Sequence, residues 1–146
     1  MLPDTVTSIG GAAFHSCTGL IDMVIPNSVT SIGSSAFYSC TGLIDMVIPN
    51  SVTSIGSSAF YSCTGLASLT IGESVTTITY QAFYGCTSLK KLFFNPSSLT
   101  DGSSGNVPFG GTGTSTPEGM EIYIGEQVTK IPAYLFYYTT SNSSSL

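Results

Sequence analysis

The chain has 146 residues, 42% of them hydrophobic and only 8% charged, with eight carboxylates against three basic residues and a net charge of −5. Its length suits one domain of ordinary size. Three lysines (Lys90, Lys91 and Lys130) cannot displace counterions from a phosphate backbone, and no apolar run reaches the roughly eighteen residues of a membrane span, so neither nucleic-acid binding nor membrane insertion is expected.

The N-terminal segment, MLPDTVTSIG, has neither a basic region nor an apolar stretch of the signal-peptide kind, so no leader is expected in it. It opens in the middle of a repeat, with Leu2-Pro3 where later coils have Ile-Pro, and reads as a piece of a longer array without a polar cap. Residues 19–41 read GLIDMVIPNSVTSIGSSAFYSCT, and residues 42–64 repeat them letter for letter. Around this pair the apolar positions recur every 23 residues. Val6, Val29, Val52 and Val75 form one column; Ile9, Ile32, Ile55 and Ile78 form another. Phe14, Phe37, Phe60 and Phe83, then Cys17, Cys40, Cys63 and Cys86, then Leu20, Leu43, Leu66 and Leu89 follow. Met23, Met46, Leu69 and Leu92, with Ile25, Ile48, Ile71 and Phe94, complete the set. A fixed period of this length is the signature of a solenoid.

Within a coil, Leu66-x-x-Leu69-x-Ile71 ends in the alternation of a short strand with one buried face. Pro26 and Pro49 follow that strand and stop it. A second extended piece carries Val29 and Ile32. Residues 33–40, with Ala36 and Phe37, suit a short helical turn on the opposite side. One coil alone has a single apolar edge, so coils must stack, at about 4.8 Å, to bury those edges in a continuous core.

The period breaks once. Ile71-Gly72-Glu73-Ser74-Val75 reappears 53 residues on as Ile124-Gly125-Glu126-Gln127-Val128, which leaves room for one regular coil and one enlarged coil. The extra length lies within residues 95–119, rich in Ser, Gly, Thr and Pro. The pattern resumes through Ile131, Ala133 and Phe136, and Thr139 takes the cysteine position. The chain thus reads as one solenoid over residues 1–138, irregular at 95–119, with a disordered Ser-rich tail over 139–146.

The block IPNSVTSIGSSAFYSCTGL resembles the 23-residue leucine-rich repeat of BspA-like proteins, with its landmark positions filled four times; the likeness runs from Leu2 to about Phe136. The resemblance implies an α/β fold: a right-handed leucine-rich-repeat solenoid with short parallel strands on the concave face and short helical turns or loops on the convex face. It further implies a cell-surface or secreted protein that adheres to host, matrix or other cell-surface proteins. One scaffold serves many partners, so the fold carries over better than any ligand.

Four cysteines could form two disulfides in three connectivities. The 23-residue spacing instead places one per coil in an inward column, where parallel side chains have the wrong mutual orientation for a bridge. Free buried thiols are expected, packed as small hydrophobes with S–H groups on neighbouring backbone carbonyls. No C-x-x-C pair exists, so no metal is expected, and no cofactor is implied. His15, the one histidine, heads a column continued by Tyr38, Tyr61, Tyr84 and Tyr137, which reads as an exposed convex aromatic row rather than a general base. Gly110-Gly111-Thr112-Gly113 lacks the G-K-[ST] ending of a phosphate loop. The acceptor pattern at Asn142 carries no weight in a Ser-rich tail. With no clustered acid, base and nucleophile, catalysis is not expected.

Function on a solenoid resides on exposed columns or on an insertion. With Met23 and Ile25 inward, Asp22, Asp45, Ser68, Lys91 and Glu121 form one outward column, and Val24, Val47, Thr70, Phe93 and Tyr123 the next. The second is an apolar strip of the kind that marks contact sites; the first changes sign along its length, a basis for electrostatic discrimination. The competing reading is that β-branched and aromatic residues simply favour strands. The enlarged coil, with Phe109 amid glycines, is a second candidate surface. The expected function is a protein-interaction or adhesion module that binds through the concave sheet; a structural spacer without a ligand is the alternative. Raw apolar ends also lead to an expectation of end-to-end self-association.

Overall fold

A computed structural model describes residues 1–100 and 106–137; the expected tail, with Asn142 and Thr139, lies outside the described residues. Eight short strands form two parallel sheets. The minor sheet joins β1 (Ser8–Ile9), β2 (Ser31–Ile32), β4 (Ser54–Ile55) and β6 (Thr77–Ile78). The main sheet joins β3 (Asp45–Ile48), β5 (Ser68–Ile71), β7 (Lys91–Phe94) and β8 (Glu121–Ile124). Ile9, Ile32, Ile55 and Ile78 pair in register across the first, and Met46, Leu69, Leu92 and Ile122 across the second. Neighbours within each sheet come from successive coils, so the chain is a parallel-strand solenoid, as its period requires.

One coil shows why the sequence folds this way. In β3, Asp45 and Val47 point out while Met46 and Ile48 are buried. Pro49 ends the strand because it has no N–H for a further rung. Its carbonyl accepts the Val52 N–H at 3.1 Å and closes the turn into β4. Hydroxyls tie that turn to the coil before it. Ser51 Oγ donates to the Val29 carbonyl at 2.7 Å, and Thr53 donates to the Thr30 carbonyl through both its N–H (2.9 Å) and its Oγ1 (3.2 Å). Ser and Thr thus supply donors to the ladder, a role that charged side chains could not fill without desolvation.

The segment expected to be a helical turn is not helical, and no helix forms among the described residues. In residues 33–40 the odd-numbered N–H groups leave the coil: Ser35, Phe37 and Ser39 donate to the Ser57, Ala59 and Tyr61 carbonyls at 2.9, 2.7 and 2.8 Å. The even-numbered ones close local turns, Ala36 on Gly33, Tyr38 on Ser35 and Cys40 on Phe37. An α-helix would claim all of these donors for its own carbonyls and leave the next coil's without partners. Ser35 and Ser39 also adopt φ of +56° and +54°, left-handed values that interrupt any helical run. The fold is therefore built of strands and turns, and the helical half of the α/β expectation is corrected.

The core is organised in columns. Phe14, Phe37, Phe60 and Phe83 stack nearly parallel at successive centroid distances of 5.1, 4.9 and 5.1 Å, which is the strand-to-strand spacing expressed in rings. The enlarged coil continues this ladder. Its register, Lys91 to Glu121, places thirty residues where other coils have twenty-three. Yet Phe109 stacks on Phe83 at 4.9 Å and is fully buried. The second candidate surface expected at Phe109 is thus a core rung, held by Phe83 N–H on the Pro108 carbonyl (2.8 Å) and Gly85 N–H on the Gly110 carbonyl (2.9 Å). The ladder tilts only at Phe136, which meets Phe109 at 5.5 Å and 46°.

The cysteines are unbridged. The thiols of Cys40, Cys63 and Cys86 are buried and donate to the Phe14, Phe37 and Phe60 carbonyls at 3.0, 3.1 and 3.2 Å. Cys17, by contrast with the burial expected of it, is exposed. Burial first, and then the neighbouring Cys63 thiol, push Cys40 from its ordinary 9.0 up to about 11; burial likewise holds Cys86 well above the usual range.

Gly19, Gly42 and Gly65 share one column, but a Cβ at Gly42 or Gly65 would run into the Thr18 or Thr41 carbonyl oxygen, while nothing lies within 4 Å of one at Gly19. Gly42→Ala and Gly65→Ala should each lower unfolding free energy by about 2 kcal/mol or more, against under about 0.5 kcal/mol for Gly19→Ala. Urea melts of the three variants decide it; equal losses would contradict the coil spacing. The thiols give a pH dependence. An acid whose value is raised by folding loses its proton first in the unfolded chain, so stability is full below pH 9 and falls until the pH passes about 11. Melts across that window should show the fall, reduced in a Cys40→Ala/Cys86→Ala variant. Alkylation of the folded protein followed by mass spectrometry should label Cys17 alone.

Candidate functional site

The outer face of the main sheet gathers the residues singled out above. Its register aligns Asp45, Ser68, Lys91 and Glu121 in one column and Val47, Thr70, Phe93 and Tyr123 in the next. Asp22 joins the first column through a single bridge to Asp45, with Val24 two residues on. The side chains of Val24, Val47, Phe93 and Tyr123 are 50%, 60%, 36% and 46% exposed, whereas Met23, Met46, Leu69 and Leu92 between them are buried. Alternation thus separates core from display in β3, β5 and β7, whereas in β8 Ile122 and Ile124 are exposed along with Glu121 and Tyr123.

Two aliphatic residues join this face that alternation does not reveal. Ile21 and Ile44 are 62% and 48% exposed and adjoin Asp22 and Asp45. They precede the regular strand, so two consecutive residues (Ile44 and Asp45) both point outward while Leu43 turns in. The signal was present in Leu-Ile-Asp: both branched residues cannot occupy one narrow core position. With Val24 and Val47 they form an aliphatic patch in the early coils. At the far end Phe93 and Tyr123 stack at 4.9 Å. Ser68 and Thr70 lie between the two.

The charges are distributed unevenly. Asp22 and Asp45 stand opposite each other on neighbouring coils, a like-charge pair that costs sheet stability rather than adding to it. Lys90 and Lys91 are both exposed at the aromatic end. There the Tyr123 hydroxyl donates to Glu121 Oε2 at 2.7 Å, and this bond, reinforced by repulsion between carboxylate and phenolate, pushes the Tyr123 hydroxyl above its ordinary value. Beside the lysines the enlarged coil adds a turn, residues 113–119.

The remaining candidates have structural explanations. His15, Tyr38, Tyr61 and Tyr84 do form a stacked row, at 4.8, 4.9 and 5.4 Å. The tyrosines are half-buried rather than exposed. The row ends at Gly110, on which the Tyr84 ring lies, and Tyr137 meets Tyr134 edge-on instead of continuing it. The His15 ring is hydrogen-bonded to its neighbour Ser16, at 2.9 Å. Gly110 to Gly113 form turns around the Phe109 rung. Among the described residues no group of three or more His, Cys, Asp or Glu side chains could hold a metal ion, and no helix is long and apolar enough to cross a membrane.

Comparison with known proteins places this architecture. Residues 1–104 match the BspA-type leucine-rich repeat region in six copies. No curated protein matches. Among solved structures, the chain is similar to a leucine-rich repeat protein of T. pallidum at 21% identity, covering 94% of this chain and 72% of that one with a TM-score of 0.71; this likeness concerns the fold. A leucine-rich cell surface protein of Faecalibacterium prausnitzii A2-165 matches at 31% identity over 82% of this chain, with a TM-score of 0.55. A leucine-rich repeat protein of Bacteroides ovatus ATCC 8483 matches at 26% over 77%, with a TM-score of 0.50. The chain spans 31% and 40% of those two proteins, respectively. The period, the register and the matched region agree: this chain belongs to the BspA-type leucine-rich repeat family.

Proposed function

We propose that the outer face of the main sheet is a protein-binding surface, and that the chain is an interaction or adhesion module of a larger cell-surface or secreted protein. In the resembled family this face is the concave one. The observation that carries the reading is internal to the sheet. β5 places Ser68 and Thr70 outward and pairs in full register on both sides, so the sheet has no need of the apolar residues at the same positions in other coils. Val24, Val47, Phe93 and Tyr123 therefore hold apolar surface in water with no folding requirement, which is how contact sites differ from scaffold. The surface location is supported by the likeness to a cell surface protein of F. prausnitzii. No catalytic role is proposed.

The spacer reading has one observation in its favour: the two identical coils change length without changing local surface. The two are separable by experiment. The purified chain is tested on a panel of matrix and serum proteins beside a variant with Val24, Val47, Phe93 and Tyr123 all changed to Ser. Saturable binding that is lost in the variant, with its circular dichroism unchanged, is the expected result. Binding that survives the four substitutions would remove the sheet face from consideration. A chain that binds nothing, and tolerates deletion of residues 42–64 without consequence beyond its length, would favour the spacer.

A further inference from the structure

We infer that the recess between Lys90, Lys91 and the turn at residues 113–119 is an anchor for an acidic side chain of a protein partner, whose neighbouring apolar side chain lies on the Phe93–Tyr123 rungs. The inference rests on the reading of this face as a protein-binding surface and specifies the chemistry of what binds there. The recess has a volume of about 290 Å³ and is lined by Lys90, Lys91, Thr116, Pro117, Glu118 and Glu121. Two of the three basic residues in the chain thus converge on one recess.

The wall of the recess is built, not left over. It consists of residues that the regular coil lacks. Thr116 is buried and donates through Oγ1 to the Gly113 carbonyl at 2.7 Å, while Gly113 and Ser115 donate their N–H groups to Cys86 and Thr87 of the coil before, at 3.2 and 2.9 Å. A turn fixed at both ends presents its surface without an ordering cost on binding.

Charge decides which ligand fits. One oxygen of Glu121 is already engaged by the Tyr123 hydroxyl. Glu118 and Glu121 share the lining with the two lysines and repel an extended polyanion, so the ligand that suits the recess carries a single carboxylate for the ammonium groups. The adjacent rings stack face to face at 4.9 Å and so turn their edges outward, the positive rim of the aromatic quadrupole. Asp22 and Asp45, on the same face and about 10–15 Å away at the coil spacing, repel an acidic partner from any other register. The remaining charge of the chain does the same, since its net value is −5. An acidic segment therefore has one favourable position on this face, with specificity arising as much from repulsion elsewhere as from attraction here.

The test uses the full chain and fluorescence anisotropy with a labelled peptide of serine carrying one glutamate beside a leucine, against the same peptide with glutamine. The glutamate peptide should bind at least about tenfold more tightly at low salt, with an advantage that shrinks as salt is added and vanishes in a Lys90→Gln/Lys91→Gln variant. Both lysines are exposed, so the variant should keep the parent's melting curve. Equal affinity for the two peptides, no binding of either, or a glutamate preference that survives the lysine substitutions would overturn the anchor. If any of these accompanies loss of panel binding in the four-serine variant, the sheet-face reading stands and the anchor alone falls. A glutamate preference that depends on the lysines while panel binding ignores the four serines would separate them the other way.

Discussion

Among the described residues, successive coils are joined by backbone hydrogen bonds from one coil to the next, and the rest of the structure depends on that single arrangement. In an ordinary helix or hairpin the backbone satisfies itself locally, and side chains then pack as they can. Here the N–H groups of Ser35, Phe37 and Ser39 are spent on the next coil, so each residue is held within one strand spacing of its counterpart 23 positions away. Identical residues meet because the backbone leaves them no alternative. Phenylalanine stacks on phenylalanine and isoleucine pairs with isoleucine, while each buried cysteine thiol reaches the phenylalanine carbonyl of the coil before.

That constraint explains what could be read in the sequence. The apolar columns, the strands ending before Pro49 and the second extended piece at Val29 and Ile32 all recur at one period, and a recurring signal is legible. Features that depend on where a hydrogen bond goes are not. Ala36 and Phe37 within Gly33 to Cys40 look compatible with a helical turn, since residue types do not reveal whether Phe37 N–H serves its own coil or Ala59. Phe109 escaped because it follows Phe83 by 26 positions, out of period, with its place restored only by the path of the intervening chain. The outward columns of the candidate site were legible from strand alternation, whereas Ile21 and Ile44 lie just before the strand, where alternation does not apply.

The fold and the proposed binding surface thereby fall to different residues. The inward columns tolerate little, because a change in one rung alters its contact with two others. The outward columns are free: aspartate, serine, lysine and glutamate occupy one of them in successive coils without disturbing the register. A surface of this kind can change its partner while the scaffold stays as it is. The enlarged coil extends the same freedom from side chains to backbone, since its additional turn is accommodated outside the continuous phenylalanine ladder.

The same neighbour-only bonding has a mechanical consequence. A chain pulled from its two ends carries the load across the stack, and removing the outermost coil breaks that coil's bonds to its one neighbour while leaving the others intact. Force should therefore peel the solenoid turn by turn instead of rupturing it at once. Each released coil of twenty-three residues would add about 80 Å of slack. A tether built this way gives ground in increments, keeps the coils behind it folded, and can rewind when the tension drops.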